Sequence, residues 1–307
     1  MADVHPDAPD WFVRAVSRTP AEAVVEVEGC PIHYLRWGEP DRAGIVLLHG
    51  GAAHAHWWSF LAPFLADQAC VVALDLSGHG DSGRRPTYSG ELWAAEAMAV
   101  ADHAGITGPP VLIGHSMGGG VSIMAASIYG ERLAGAVIVD APVRAPDPES
   151  REGSEGSTFR NPRTYPDVET AVQRFRLVPP QPTEHRYILD WVARHSLWPV
   201  EGGWTWKFDP NVFARRPASS YEPYLADARC RMAIVNGEFS PLVTPEISAV
   251  MSDLLGRNAP FVEIPEAHHH LILDQPLAFV AAVRALLADW EHSLPRTPAW
   301  VRPVPSA

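Results

Sequence analysis

Short uninterrupted apolar runs alternate along this chain with longer stretches whose apolar positions recur every three to four residues. Runs of four to eight residues read as strands, and the longer periodic stretches as helices. Residues 23–27 and 32–37 predict an opening hairpin turned through 28–31. Strands are then expected at 44–49, 71–75, 111–115 and 134–140, with helices over 58–66, 91–104 and 118–129 between them. Strands without polar alternation are buried on both faces, and helices between them supply the crossovers that parallel neighbours need. The alternation resumes with a strand at 232–236, a helix at 245–255, a strand at 261–264 and a helix at 276–290. One mostly parallel, twisted α/β sheet flanked by helices, interrupted once, accounts for the whole pattern.

The interruption follows the sixth strand. It opens with a polar stretch, 147–165, expected to be a mobile loop, and continues with helical periodicity over 168–175 and 184–195 around a proline-bearing breaker at 178–182. No part of it has the period of a sheet strand, so it reads as a helical lid. The expected organisation is a discontinuous core of residues 1–141 and 230–294, a cap of 142–229, and a proline-rich tail of 295–307. Prolines number 30, about twice the usual share of roughly 5%, and twelve of them fall in the cap.

Composition narrows the function classes. Apolar residues make up 47% and charged residues 20% of 307 residues, ordinary values for a packed protein rather than a disordered one. Lysine and arginine total 24 against 36 acids, a net charge of −12, which argues against a nucleic-acid partner held by its phosphates. No window approaches the roughly 18 apolar residues of a membrane span, and residues 1–10 lack the basic start and apolar run of a signal peptide. A cytoplasmic protein without a membrane partner is expected, and homo-oligomerisation is compatible with the sequence. Cys30, Cys70 and Cys230 are too few and too scattered for a disulfide framework or a thiolate metal site.

The chemistry concentrates at predicted strand ends. Gly114-His115-Ser116-Met117-Gly118 lies between a strand and a helix, where a tight turn lifts the serine oxygen above the carboxyl edge of the sheet. A serine hydroxyl attacks only if a base removes its proton. The candidate base lies in Ala267-His268-His269-His270, after the last strand, and His269 is chosen. Adjacent histidines on a loop diverge, and zinc sites prefer spaced ligands, so no metal is expected. The acid that orients the imidazole is Asp140, at the end of the sixth strand, or Glu238, in the turn after the next. Oxyanion donors are expected from the N–H of Met117 and of Gly51, with Ala52 as the alternative. The glycine-rich turn from Asp75 to Ser82 reads as structural.

These motifs resemble the α/β-hydrolase superfamily over about 43–141 and 230–290. The likeness rests on His49-Gly50-Gly51, on Asp75 to Ser82, on Gly114 to Gly119, and on His268-His269 leading into Leu273-Asp274-Gln275-Pro276. The resemblance implies the α/β-hydrolase fold, Ser116 as nucleophile, His269 as base and no cofactor. At the acid the chain departs from the family pattern, since Ser240 occupies the usual slot. Some relatives take the acid from the end of the preceding strand, here Asp140, which is therefore preferred over Glu238. A serine at the elbow sets the chain apart from epoxide hydrolases and haloalkane dehalogenases, which carry an aspartate there.

A small-molecule substrate, a small-to-medium hydrophobic carboxylic ester or lactone, is expected to pass through an acyl-enzyme. Carbon–carbon bond hydrolysis, a cofactor-free haloperoxidase-like reaction and a non-catalytic ligand receptor are the alternatives. Trp191, Trp198, Trp204 and Trp206 either line the substrate pocket or form a small core of the cap. Arg174, Arg176, Arg186 and Lys207 of the cap are candidates to meet a carboxylate.

Overall fold

A computed structural model describes residues 4–67, 69–143, 162–214 and 220–292. Eight strands form one sheet: β1 (Ala21–Val27), β2 (Cys30–Trp37), β3 (Gly44–Leu48), β4 (Cys70–Leu74), β5 (Val111–His115), β6 (Gly135–Val139), β9 (Arg231–Gly237) and β10 (Phe261–Ile264), in the order β1-β2-β4-β3-β5-β6-β9-β10. The hairpin β1–β2 and the β2–β4 pair are antiparallel. Every pairing from β4 to β10 is parallel. Six carboxyl ends therefore meet at one edge, which is where the sequence places its motifs.

Side chains alternate between the two faces of each strand. Leu47, Ile113, Val137 and Val235 face a core shared with Phe12 of α1 (Asp10–Val16), with α2 (Ala62–Leu65), and with Phe279 and Val283 of the C-terminal helix α11 (Pro276–His292). Val46, Leu48, Leu112 and Ile138 face the other core, against α3 (Gly90–His103), α4 (Met117–Ile128) and α9 (Pro245–Leu254). The Ser89 hydroxyl accepts from the Leu92 N–H to start α3, and Thr244 does the same for Ile247 of α9.

Two core elements differ from expectation. The helix predicted over 58–66 is the single turn α2, preceded by a 3-10 turn at Ala55–Trp57, because Pro63 supplies no N–H for an earlier turn to bond. Helix α1 was not expected; its one fully buried side chain, Phe12, packs on Phe60, Tyr187 and Trp191.

Between β6 and β9 lie α5 (Val168–Arg174), α6 (Arg186–His195), a hairpin of β7 (Leu197–Val200) and β8 (Gly203–Trp206), α7 (Asn211–Ala214) and α8 (Glu222–Ala226). The hairpin corrects the expectation of an all-helical segment. Its register, Leu197↔Trp206 to Val200↔Gly203, turns on Gly202 at φ 84° and Gly203 at φ 145°, angles a side chain would disfavour. Pro199 hid the strand in the sequence, yet a two-stranded ribbon leaves free edges that tolerate proline. Most of the polar stretch 147–165 and all of the 295–307 tail lie outside the described residues.

Hydrogen bonds from several of its elements tie the segment to the rest of the fold. The Trp191 Nε1–H donates to Ser59 Oγ at 2.9 Å, and His54 bonds the Ser196 hydroxyl at 2.8 Å. The glycine-rich turn after β4 contributes two more: the Asp209 N–H donates to the Gly78 carbonyl, and the Gly80 N–H donates to the Lys207 carbonyl. All three cysteines are free, and among the described residues no helix is long and apolar enough to cross a membrane.

Buried Asp75 organises that turn. Its carboxylate accepts from the Ala55 N–H at 2.6 Å, the Asp81 N–H at 3.0 Å and His33 Nδ1 at 2.8 Å. Burial would raise its pKa, but the His33 hydrogen bond and charge prevail and hold it far below the ordinary carboxylate value. Its partners come from β2, from the 3-10 turn and from its own loop, so a single carboxylate joins three segments. Removing one partner of a buried, hydrogen-bonded charge pair costs about 3–5 kcal/mol. Asp75→Ala is expected to lower unfolding stability by that order in urea titration, and a loss under about 1 kcal/mol would contradict this role.

Candidate active site

The β5–α4 junction is shaped by close approach. Ser116 has φ 53° and ψ −116°, a strained region costing roughly 1–3 kcal/mol that persists only when its surroundings enforce it. The Ser116 N–H donates to the Val139 carbonyl at 2.8 Å. A Cβ at Gly114 would collide with the Gly118 carbonyl, and one at Gly118 with the carbonyls of Leu48 and His49. Both positions thus exclude side chains, and the serine is held at the head of α4 with its oxygen toward the carboxyl edge.

Three side chains join there. His269 Nε2 lies 3.0 Å from Ser116 Oγ, and His269 Nδ1 lies 2.6 Å from Asp140 Oδ2. A carboxylate can only accept, so Nδ1 carries the proton and Nε2 is left to accept from the serine. Asp140 is fully buried, and its other oxygen accepts from the Gly237 N–H at 3.2 Å. Ser240, in the slot where the family pattern has its acid, donates its hydroxyl to Asp140 Oδ2 at 2.7 Å. Glu238 does not reach the imidazole. It is exposed, and its Oε2 accepts from the Glu266 N–H at 2.8 Å, bracing the loop that leads to the histidine.

That loop is fixed on both sides of His269. The His268 N–H donates to Asp274, and the His270 N–H donates to Gln181 Oε1, each at 2.8 Å. The Gln181 amide in turn donates to both Asp274 oxygens. His115 Nε2–H donates to the His269 carbonyl at 2.9 Å. Sequence reasoning missed Gln181 and His115. A histidine inside the serine turn was a visible local signal, whereas Gln181 pairs across 89 residues and left none.

Nitrogens of His115, His269 and His270 lie within 4.8 Å of one another, so these rings diverge less than adjacent positions suggest. Both His269 nitrogens are already engaged by Asp140 and Ser116, and a metal there would have to displace one of them.

Met117 opens α4, so its N–H has no partner within the helix. A Cβ at Gly50 would sit 3.4 Å from that of Ser116, and Gly51 and Ala52, the next residues of the loop, border a cavity of about 240 Å³. Aromatic rings of Tyr165, Phe175, Trp206 and Phe208 form part of its wall. Of the four tryptophans singled out from the sequence, Trp206 alone borders this cavity. Trp191 is buried against Phe12 and His195, Trp198 lies under the Arg84 guanidinium, and Trp204 pairs its backbone with Tyr165. Trp191 thus packs on α1, and Trp198 on an arginine of the chain between β4 and α3.

The family model described as "Alpha/beta hydrolase family" matches residues 45–283. A serine hydrolase-like protein of Danio rerio is 24% identical over 279 residues, covering 83% of each chain. The dihydrolipoyllysine-residue acetyltransferase component of the acetoin cleaving system of Pseudomonas putida is 36% identical over 117 residues; the match spans 38% of this chain and only 31% of that protein. Among solved structures, E-2-(acetamidomethylene)succinate hydrolase superposes with a TM-score of 0.77 at 22% identity, over 88% of this chain and 99% of that one.

Burial around the site suppresses histidine charge. His49, His54, His56, His79, His115, His195 and His270 are all lowered, chiefly by burial, with His56, His79 and His115 brought down to about 3. Such a group stays neutral when folded but takes up a proton when unfolded below its ordinary value near 6.5. Its contribution is therefore whole above that value and declines as pH falls, by up to about 1.4 kcal/mol per pH unit for each group. Among the shifted histidines His33, raised by Asp75 against its burial, is the one that opposes the trend. Urea unfolding followed from pH 7.5 to 5 is expected to show stability falling steeply below 6.5, with uptake of several protons. A flat profile over that interval would contradict the neutral, buried state of these rings.

Proposed function

Because the chain belongs to the alpha/beta hydrolase family, we propose that it is a serine hydrolase acting on carboxylic esters or lactones through an acyl-enzyme. The observation that carries this reading is the continuous hydrogen-bonded chain from Ser116 Oγ through His269 to the buried carboxylate of Asp140. Likeness to the Danio rerio serine hydrolase-like protein over most of both chains supports it.

In this reading Ser116 Oγ attacks the substrate carbonyl carbon while its proton passes to His269 Nε2. Asp140, accepting from Nδ1–H, stabilises the imidazolium that forms. The oxyanion is met by the N–H of Met117 and that of Gly51, or of Ala52 beside it, fixed donors that need no reorganisation as charge develops. Collapse breaks the bond to the leaving group, which takes the Nε2 proton. A water deprotonated by Nε2 then attacks the acyl carbon and releases the acid and Ser116. The segment between β6 and β9 acts as the lid, its rings forming one wall of the pocket and its Gln181 holding the histidine loop.

The two candidate acids are separated by a pair of variants. Asp140→Asn is expected to cut kcat/KM for a p-nitrophenyl ester by about 10³–10⁴-fold, since the imidazole loses the partner that selects its tautomer. Glu238→Gln is expected to stay within about threefold, as its carboxylate bonds only backbone. A fluorophosphonate probe should label the wild type and not Ser116→Ala. Loss of activity in Glu238→Gln with Asp140→Asn retained, or no labelling of the wild type, would overturn the assignment.

A further inference from the structure

The cavity bordered by Gly51, Ala52 and His270, which adjoins the Ser116–His269 pair through these neighbours without being lined by either residue, has a charge pattern opposite to that of the chain. Acids outnumber lysine and arginine by 36 to 24, yet no aspartate or glutamate is among the described residues bordering it. Four cations are: Arg163, Arg174, Arg176 and Lys207, the last being the chain's single lysine. Of these, Lys207 has a carboxylate partner among the described residues, Asp81 at 2.6 Å. The Arg176 guanidinium donates to the backbone carbonyls of Gln173 and Phe175, which carry no net charge. Among the described residues, the Arg163 and Arg174 guanidinium groups have neither a hydrogen bond nor an ion pair, although both are exposed and free to reach one. The histidines in the same wall, His54 and His270, are buried and held neutral, so they neither add to this charge nor switch it near neutral pH.

Three guanidinium groups with no carboxylate partner among the described residues attract anions from solution and bind oxyanions through paired N–H donors. The rings of Tyr165, Phe175 and Trp206 lie in the same wall, where an uncharged part of the ligand would rest. The geometry points to a substrate bearing a carboxylate or phosphate, set apart from the scissile carbonyl and received by Arg163, Arg174 and Arg176. This rests on the serine-hydrolase reading above and names the substrate class of that same site.

Two pairs of substrates distinguish where the anion sits. Mono-p-nitrophenyl glutarate carries a carboxylate on the acyl side and is compared with p-nitrophenyl valerate; an acyl thioester of 4′-phosphopantetheine carries a phosphate on the leaving group and is compared with the same acyl thioester of pantetheine. At 20 mM salt, kcat/KM for at least one charged substrate is expected to exceed that of its uncharged counterpart tenfold or more. The advantage should shrink as salt is raised to 300 mM, because exposed charges are screened. Arg174→Gln and Arg163→Gln should bring the charged-to-neutral ratio toward one. Arg257→Gln, at an exposed arginine that pairs with Asp253 and does not border the cavity, controls for net charge and should leave the ratio alone.

Equal or better turnover of the neutral substrates, with a ratio indifferent to Arg163 and Arg174, would overturn the anion site and leave the serine-hydrolase reading intact. If no ester is cleaved and Ser116 is not labelled, the enzyme reading fails. Calorimetry with glutarate and with inorganic phosphate on the Ser116→Ala protein then decides the anion site alone: binding weakened by Arg174→Gln sustains it, and no binding overturns it.

Discussion

The arrangement depends on a 2.6 Å hydrogen bond from His269 Nδ1 to a carboxylate that water does not reach. A buried carboxylate is costly unless every oxygen is bonded, and Asp140 meets this condition with the Gly237 N–H, the Ser240 hydroxyl and the imidazole. These partners come from two other carboxyl ends of the parallel sheet. Asp140 follows β6, Gly237 ends β9 and Ser240 follows it, His269 follows β10, and Ser116 follows β5. A change in strand register would move these groups by more than a hydrogen bond tolerates, so the core packing on both faces of the sheet is also what sets the site.

In the proposed triad Asp140 takes the acid's part, and Ser240, in the slot where the sequence resemblance puts an acid, donates its hydroxyl to that carboxylate. Its own oxygen accepts from the N–H groups of Leu242 and Val243, which fixes the hydroxyl rotor toward Asp140. The main chain around the imidazole is held by His115 at the His269 carbonyl, by Asp274 at the His268 N–H and by Gln181 at the His270 N–H. Since Gln181 belongs to the segment between β6 and β9, that segment is joined to the histidine as well as to the cavity wall.

How much of this was legible in the sequence follows from the range of each interaction. The serine turn is local: Gly114 and Gly118 are required by carbonyls within a few ångströms, and both glycines stand beside Ser116 in the chain. The order of apolar runs likewise carried the parallel sheet, because burial on both faces leaves a compositional trace. The competition between Asp140 and Glu238 could not be settled locally, since both follow strands that end at the same edge; only the distance to the imidazole separates them. The β7–β8 hairpin was hidden by Pro199, and α1 by its single turn-length apolar anchor. The tryptophans left two readings open for a related reason. A large ring in a short segment reports burial, while what it is buried against, here Phe12, Ser59 or an arginine face, is decided by residues more than a hundred positions away.

The central claim is that Ser116 becomes covalently acylated, and quenched-flow trapping tests it most directly. Mixing the protein with a p-nitrophenyl ester, stopping the reaction in acid within milliseconds and mapping the digest by mass spectrometry should place the acyl group on the peptide containing Ser116. The adduct should be absent in Ser116→Ala. An acyl group on another residue, or Ser116→Ala turning over the ester as fast as the wild type, would contradict the account.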